Sequence, residues 1–221
     1  MPFMIDVVSD VVCPWCYIGK HRLEAALRQL HADDPAFEPR INWHPFQLNP
    51  DLPAAGTDRK RYLEAKFGGP ARAGEIYARV RAAGETAGIA FDFDRIAVQP
   101  NTLSAHRLVS WAQHEHDAGE LVERLFAAYF IDGRDIGDHA VLAAIAGEAG
   151  LDASVARAHL DSGAGRDEIA TMDVRARKLG VSGVPFFIFD GRVAVSGAHE
   201  PDMLIQAITQ ARETEEEASR D

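Results

Sequence analysis

The chain has 221 residues, 47% of them hydrophobic and 26% charged, with 34 acidic against 23 basic residues and a formal net charge of −11. That length fits one large domain, or a smaller one with an insertion, and the acidic balance argues against a nonspecific nucleic-acid binder, which needs a basic face. No apolar run reaches membrane-spanning length, and two cysteines are too few for a disulfide framework.

Phe3 to Val12 reads as a buried strand, because its apolar residues are rich in β-branched valine and isoleucine. From Pro14 to about His31 the period becomes helical, with Cys16, Gly19 or Lys20, Leu23, Leu27 and Leu30 on one stripe. Ile41 to Phe46 is a second strand, ended by Pro45 and Pro50. Strand, helix and strand in the first fifty residues predict a βαβ unit. Asp51 to about Gly165 is mostly helical. Pro53 to Gly56 begins it, Gly68-Gly69-Pro70 breaks it, and Phe91 to Asp94 is a loop or brief extended segment anchored by its two rings. Asn101 to about Ala118 and Glu120 to Phe130 are further helices, and Asp138 and Asp152 cap two more. Ile169, Met172, Ala176 and Leu179 then form a stripe, with Gly180 as the C′ residue. Val184 to Phe189 is a strand, Asp190-Gly191 a hairpin turn and Val193 to Ser196 the return strand. Pro201 starts a last helix, and ETEEEASRD after Arg212 reads as a frayed acidic tail. The fold class is therefore α/β with a large helical insertion.

The chemistry concentrates in Cys13-Pro14-Trp15-Cys16, which holds both cysteines of the chain. A strand followed by a helix start puts Cys13 at the helix N-terminus, where unpaired N–H groups and the helix dipole favour a thiolate. Cys13 is then the nucleophile and Cys16, one turn on, the resolving thiol. Pro14 suits the first helical turn because no donor is needed there. Trp15 either faces substrate or packs, and it supplies no positive charge, so Cys13 is expected to be less acidic than in strongly oxidising dithiol enzymes. A zinc site would need four ligands, and no second C-x-x-C exists. Nothing local fixes His44, His106 or His199 as partners. Asp10 either assists proton transfer or is a solvent-facing or turn-capping residue. Trp43 and Phe46 read as core packing more than as ligand platforms, and His44 as local strand polarity more than as a cleft residue. No basic region, apolar core and small-residue cleavage site follow one another at the N-terminus. A cytoplasmic location, with the dithiol resting reduced, is expected.

Ser9-Asp10 through Lys20, Trp43-x-Pro45-Phe46, Asn101-Thr102, Ala105-His106-Arg107-Leu108, Asp135-Ile136, Gly180 to Phe187 and Val195-Ser196-Gly197-Ala198 together resemble the DsbA-like branch of the thioredoxin superfamily, closest to its cytoplasmic FrnE-like group. The resemblance implies a discontinuous thioredoxin-like domain over 1–50 and 166–212, a helical insertion over 51–165 above the active-site face, and a tail over 213–221. It implies a cis Val184-Pro185 bond that sets the Val184 backbone beside Cys13, where it pairs with an extended substrate and helps exclude stray metal. Asn101, Thr102 and His106 either line the cleft near Cys13 or serve as caps and core hydrogen bonds. One departure is Val7, which stands where these proteins typically carry a buried acid; Asp6 and Asp10 are not equivalent in register. The implied activity is thiol–disulfide exchange, reducing or isomerising disulfides of a protein or small molecule. No tightly bound cofactor or metal is expected. Glutathione or another thiol would act as cosubstrate, without nucleic acid or membrane as partner, in a monomer or homodimer. The alternative is a glutathione-dependent isomerase resembling 2-hydroxychromene-2-carboxylate isomerase and kappa-class glutathione transferases, which typically use serine where this chain has cysteine. A third class is a binding or chaperone protein, which would keep its clients after Cys13→Ser.

Overall fold

The computed structural model describes residues 2–114 and 116–218. Strand β1 (Met4–Ser9) lies parallel to β2 (Arg40–Pro45) and antiparallel to β5 (Phe186–Phe189), which pairs antiparallel with β6 (Val193–Ser196). The sheet order is β2-β1-β5-β6. Helix α1 (Pro14–Asp33) joins β1 to β2, as the opening strand–helix–strand pattern predicts. Val7 sits opposite Trp43 on one side and Phe187 on the other, so β1 is a central strand with a buried apolar run. The fold is a thioredoxin-like α/β core with a helical insertion.

Between β2 and β5 run α2 (Arg59–Phe67), α3 (Pro70–Thr86), α4 (Leu103–Gln113), α5 (Gly119–Phe130), α6 (His139–Glu148), α7 (Ala153–Ser162) and α8 (Arg166–Lys178), and α9 (Pro201–Ala218) closes the chain. Asp138 and Asp152 cap α6 and α7 through Oδ1, each accepting two backbone N–H bonds. The insertion begins differently from expectation. Pro53 to Gly56 is a turn, closed by Gly56 N–H donating to Pro53 O at 2.8 Å. It leads into β3 (Thr57–Asp58), which pairs with β4 (Val98–Gln99). Gly56 has φ +70, and a Cβ there would lie 2.7 Å from Gln99 O, so the pairing depends on glycine.

Other boundaries shift for local reasons. β1 ends at Ser9 rather than Val12, because Cys13 N–H donates to Asp10 O at 2.9 Å and turns the chain. Helix α4 begins at Leu103, after Asn101 Oδ1 accepts the Leu103 N–H at 3.0 Å. Leu179 is 75% exposed rather than part of a buried stripe, since it already lies at the C-cap of α8. The segment expected to fray from Glu213 instead continues α9 to Ala218; Glu and Ala are good helix formers. Arg212 anchors that helix by donating to Asp34 Oδ2 at 2.8 Å. Residues 219–221 of the expected tail lie outside the described residues.

A charged knot fastens α1 to α5. Lys20 Nζ, buried, pairs with Glu24 and with Glu123 Oε2, the latter at 2.6 Å. Tyr17 Oη donates to Glu123 Oε1 at 2.7 Å, and His21 Nε2 reaches the same oxygen at 3.3 Å. Burial opposes ionisation of Glu123, but the bonds from His21 and Lys20 prevail and hold its pKa down at about 2. A depressed carboxylate stabilises the fold above its ordinary value of 4.5, and the contribution disappears as pH falls towards 2. Glu123→Gln is therefore expected to flatten the loss of Tm between about pH 5 and pH 2, measured by thermal unfolding; an unchanged acid limb would contradict this. His21 works in the opposite sense. Its bond to Glu123 raises its pKa, so its contribution is full below 6.5 and lost as pH rises through the higher folded value.

Candidate active site

Cys13 is the N-cap of α1, with extended backbone angles and no side-chain cap, and Pro14 occupies the first helical turn. The Cys13 carbonyl accepts the N–H groups of Cys16 and Tyr17 at 3.0 and 3.3 Å, which sets the two cysteines one turn apart. Both are free thiols. The Cys13 Sγ donates to Val184 O at 3.7 Å, and the Val184–Pro185 peptide bond is cis. The structure thus brings together Cys13, Pro14, Trp15, Cys16, Val184 and Pro185 from opposite ends of the chain. Cys13 is only 5% exposed, against 2% for Cys16, so it is less open than a helix-end position suggests. Burial pushes the Cys16 thiol well up, and the adjoining Cys13 sulfur adds to this. The Ser9 hydroxyl and the Asp10 backbone beside the sulfur act the other way.

The approach to Cys13 is a cleft of about 210 Å³. Trp15, 39% exposed, forms part of its wall. The far side comes from α2 and α3, through Tyr62, Lys66, Phe67 and Tyr77. Asn101, Thr102 and His106 do not line it. Asn101 is a tie: its Nδ2 donates to Leu52 O at 2.7 Å, while Oδ1 accepts from Leu103 N–H. Thr102 is buried at the start of α4 without a side-chain cap bond. His106 instead lines a separate small cavity with Ser9, Trp43 and His44. Asp10 is fully buried, so its solvent-facing reading is set aside. Its Oδ2 accepts Leu48 N–H at 2.7 Å, and Oδ1 lies 3.3 Å from His106 Nε2.

His44 bonds Asp6 Oδ1 at 2.8 Å, and His199 reaches Ser196 O at 2.9 Å. Asp6, fixed in that bond, is held below the usual carboxylate range. Among the described residues, no three His, Cys, Asp or Glu side chains converge as a metal site would require.

The model of the DSBA-like thioredoxin domain matches residues 4–209. The chain belongs to that family. A probable DsbA oxidoreductase from Streptomyces coelicolor is 32% identical, with 95% of this chain and 89% of that chain covered and a TM-score of 0.84. Two more distant structures share the fold. A 2-hydroxychromene-2-carboxylate isomerase is 17% identical, with 99% of each chain covered and a TM-score of 0.66. The cytosolic disulfide reductase DsbM from Pseudomonas aeruginosa, solved with GSH, is 18% identical, with 99% and 100% covered and a TM-score of 0.62.

Two features of this DSBA-like domain escape a reading by motif. Gly19 is the first. A Cβ there would stand 2.8 Å from Pro185 Cγ and 3.2 Å from Phe187 Cζ, so the bare backbone of α1 lets the Pro185 loop approach the cysteines. A helix-interior glycine costs about 1 kcal/mol relative to alanine, and that cost is the signal in the sequence. The second is Arg59, buried behind the cleft, whose guanidinium donates to Gln99 Oε1, Tyr129 Oη and Tyr77 Oη at 2.8, 2.7 and 3.0 Å. Gln99 and Tyr77 also line the cleft, so Arg59 orders part of its floor. No local spacing marks this residue, because its partners are brought in by α3, β4 and α5.

Proposed function

We propose that this member of the DSBA-like family is a dithiol–disulfide oxidoreductase that reduces or isomerises disulfides through a mixed disulfide on Cys13. The observation that carries the reading is the Cys13 sulfur at a helix N-terminus, 3.7 Å from the Val184 carbonyl. Cys13 thiolate attacks one sulfur of the substrate, the substrate S–S bond breaks, and one thiolate leaves. The Cys16 sulfur then displaces the second substrate sulfur from Cys13. Two electrons pass from the protein dithiol to the substrate, and a thiol reductant, glutathione or another small thiol, restores the dithiol. In isomerisation a different thiolate of the substrate attacks the substrate sulfur of the mixed disulfide instead, which forms a new substrate disulfide and releases the Cys13 thiolate with no net oxidation. The Val184 backbone is the proposed pairing edge for an extended substrate, with Trp15 and Pro14 as the apolar wall beside the sulfur. We assign the reaction to the cytoplasm, where a dithiol rests reduced.

The isomerase likeness carries no chemistry at its identity level, and two cysteines at the helix start favour exchange. Cys16→Ser is expected to trap a stoichiometric adduct on Cys13 when mixed with a disulfide substrate, read by intact-mass and peptide mass spectrometry. Absence of a Cys13 adduct would sink the assignment. Turnover of an aromatic isomerisation substrate without dithiol turnover would promote the other reading.

A further inference from the structure

Among the described residues, three buried side-chain polar atoms lack a hydrogen-bond partner, and two of them, Ser9 Oγ and Trp43 Nε1, belong to residues lining a single cavity. Buried polar groups are nearly always partnered, so two orphans at one void call for a physical account. The cavity measures about 20 Å³, which is room for one water. Its wall also includes His44, His106 and Ser110. The Ser9 hydroxyl also stands near the Cys16 sulfur, outside hydrogen-bond geometry in the resting dithiol. His106 faces the carboxylate of fully buried Asp10. The void therefore adjoins Ser9, the serine near the resolving thiol, and His106 of a buried imidazole–carboxylate pair.

We infer that Ser9, one water held by Trp43 Nε1–H, and the His106–Asp10 pair form a relay that takes the proton from Cys16 when it attacks the mixed disulfide. The donor and acceptor inventory closes in one direction. A carboxylate only accepts, so the contact with Asp10 Oδ1 assigns the proton to His106 Nε2 and leaves Nδ1 as the acceptor. Trp43 Nε1 only donates and fixes the water by its oxygen. The water then donates to His106 Nδ1, Ser9 O–H donates to the water, and Cys16 S–H turns to donate to Ser9 Oγ as the thiol attacks. Asp10 keeps its other oxygen on Leu48 N–H, which holds the carboxylate in place as charge arrives on the imidazole.

The step, which rests on the dithiol reading above, balances as follows. The Cys16 S–H bond breaks and its proton ends on His106. The Cys13–Cys16 bond forms as the bond from Cys13 to the substrate sulfur breaks, and the substrate leaves as a thiolate, which takes up a proton from His106 by way of solvent. Val7 leaves no acid at the position where the family resemblance expects one, and the relay supplies an acceptor from another direction. Ser9 is the member of the relay that meets the thiol during attack. Trp43, His106 and Asp10 act through it and are positioning residues.

The test mixes the reduced protein with excess aromatic disulfide whose released thiolate is coloured. Release of the first equivalent reports attack by Cys13, and release of the second reports resolution by Cys16. Ser9→Ala and His106→Gln are each expected to slow the second phase by about tenfold or more and to leave the first within about twofold. Ser9→Thr, which restores the hydroxyl, is expected to recover the second phase. A wild-type second phase in Ser9→Ala would overturn the relay, as would equal slowing of both phases in the two variants. Failure of the wild-type protein to release even a first equivalent would instead sink the dithiol reading itself.

Discussion

Cys13→Ser is expected to lower disulfide turnover on the order of 10³-fold or more, with thermal stability close to that of the parent. Attack on a disulfide sulfur needs a soft thiolate, and a serine hydroxyl is not ionised at neutral pH, so no residual nucleophile remains at the helix start. Cys16 does not substitute for it. Burial keeps that thiol protonated and 2% exposed, behind Cys13 rather than at the cleft. The structural consequence is small. Serine is close in shape, it can donate to the same Val184 carbonyl that Cys13 reaches at 3.7 Å, and hydroxyl residues are favoured N-caps. The measurement pairs a coupled reductase assay with thermal unfolding. Turnover within tenfold of the parent would contradict the assignment of Cys13 as nucleophile.

The second large effect is on stability. Arg59→Leu is expected to destabilise the protein by about 3 kcal/mol, because it leaves Gln99 Oε1, Tyr129 Oη and Tyr77 Oη short of a charged donor in the interior. The rings of Tyr77 and Tyr129 also lose their contacts with the guanidinium, whose carbon lies 5.4 Å from each centroid. A leucine of matching bulk does not offset this, since the neutral oxygens around it stay polar. For a chain of this length, that loss is a fall in Tm of roughly 6–12 °C. Tyr77→Phe, which removes one of the three acceptors, is expected to cost about 1 kcal/mol. A Tm for Arg59→Leu unchanged within about 1 °C would show that those oxygens find other partners.

What was legible in the sequence was local. The change from β-branched residues to a helical stripe at Pro14 gave β1 and α1. Asp138 and Asp152 announced their helices by cap chemistry. Asp190-Gly191 marked the hairpin, and both residues have positive φ, +52 and +68. The cysteine pair stood out by its spacing, and the structure sets it at the start of α1. What stayed hidden depends on distant neighbours. β3 and β4 are two residues each and acquire strand geometry only by pairing across some forty positions. Arg107, named in the sequence only as part of the Ala105–Leu108 stretch, is buried and donates to the carbonyls of His159, Leu160 and Ala164 at the end of α7. Asn101 and His106 were associated with the cysteines by motif. The cleft is instead faced by Tyr62, Lys66 and Tyr77, whose helices carry no pattern pointing to Cys13. Asp10 offered two readings, and only tertiary packing shows it sealed against His106 and Leu48.

Helix α1 is held on several sides along its first half. Its backbone at Gly19 meets Pro185, Lys20 is locked to Glu123, and Arg22 donates to Ala198 O at 2.6 Å and pairs with Glu200 at 2.5 Å. In mechanical terms this segment is stiff: neither rotation nor sliding is available without breaking contacts to α5, to the β5 loop and to the start of α9 together. The distance between the two sulfurs is then governed by χ torsions over a single rigid helical turn. The proposed redox cycle would then proceed by rotamer changes, on the timescale of side-chain motion, with α1 as its fixed bearing.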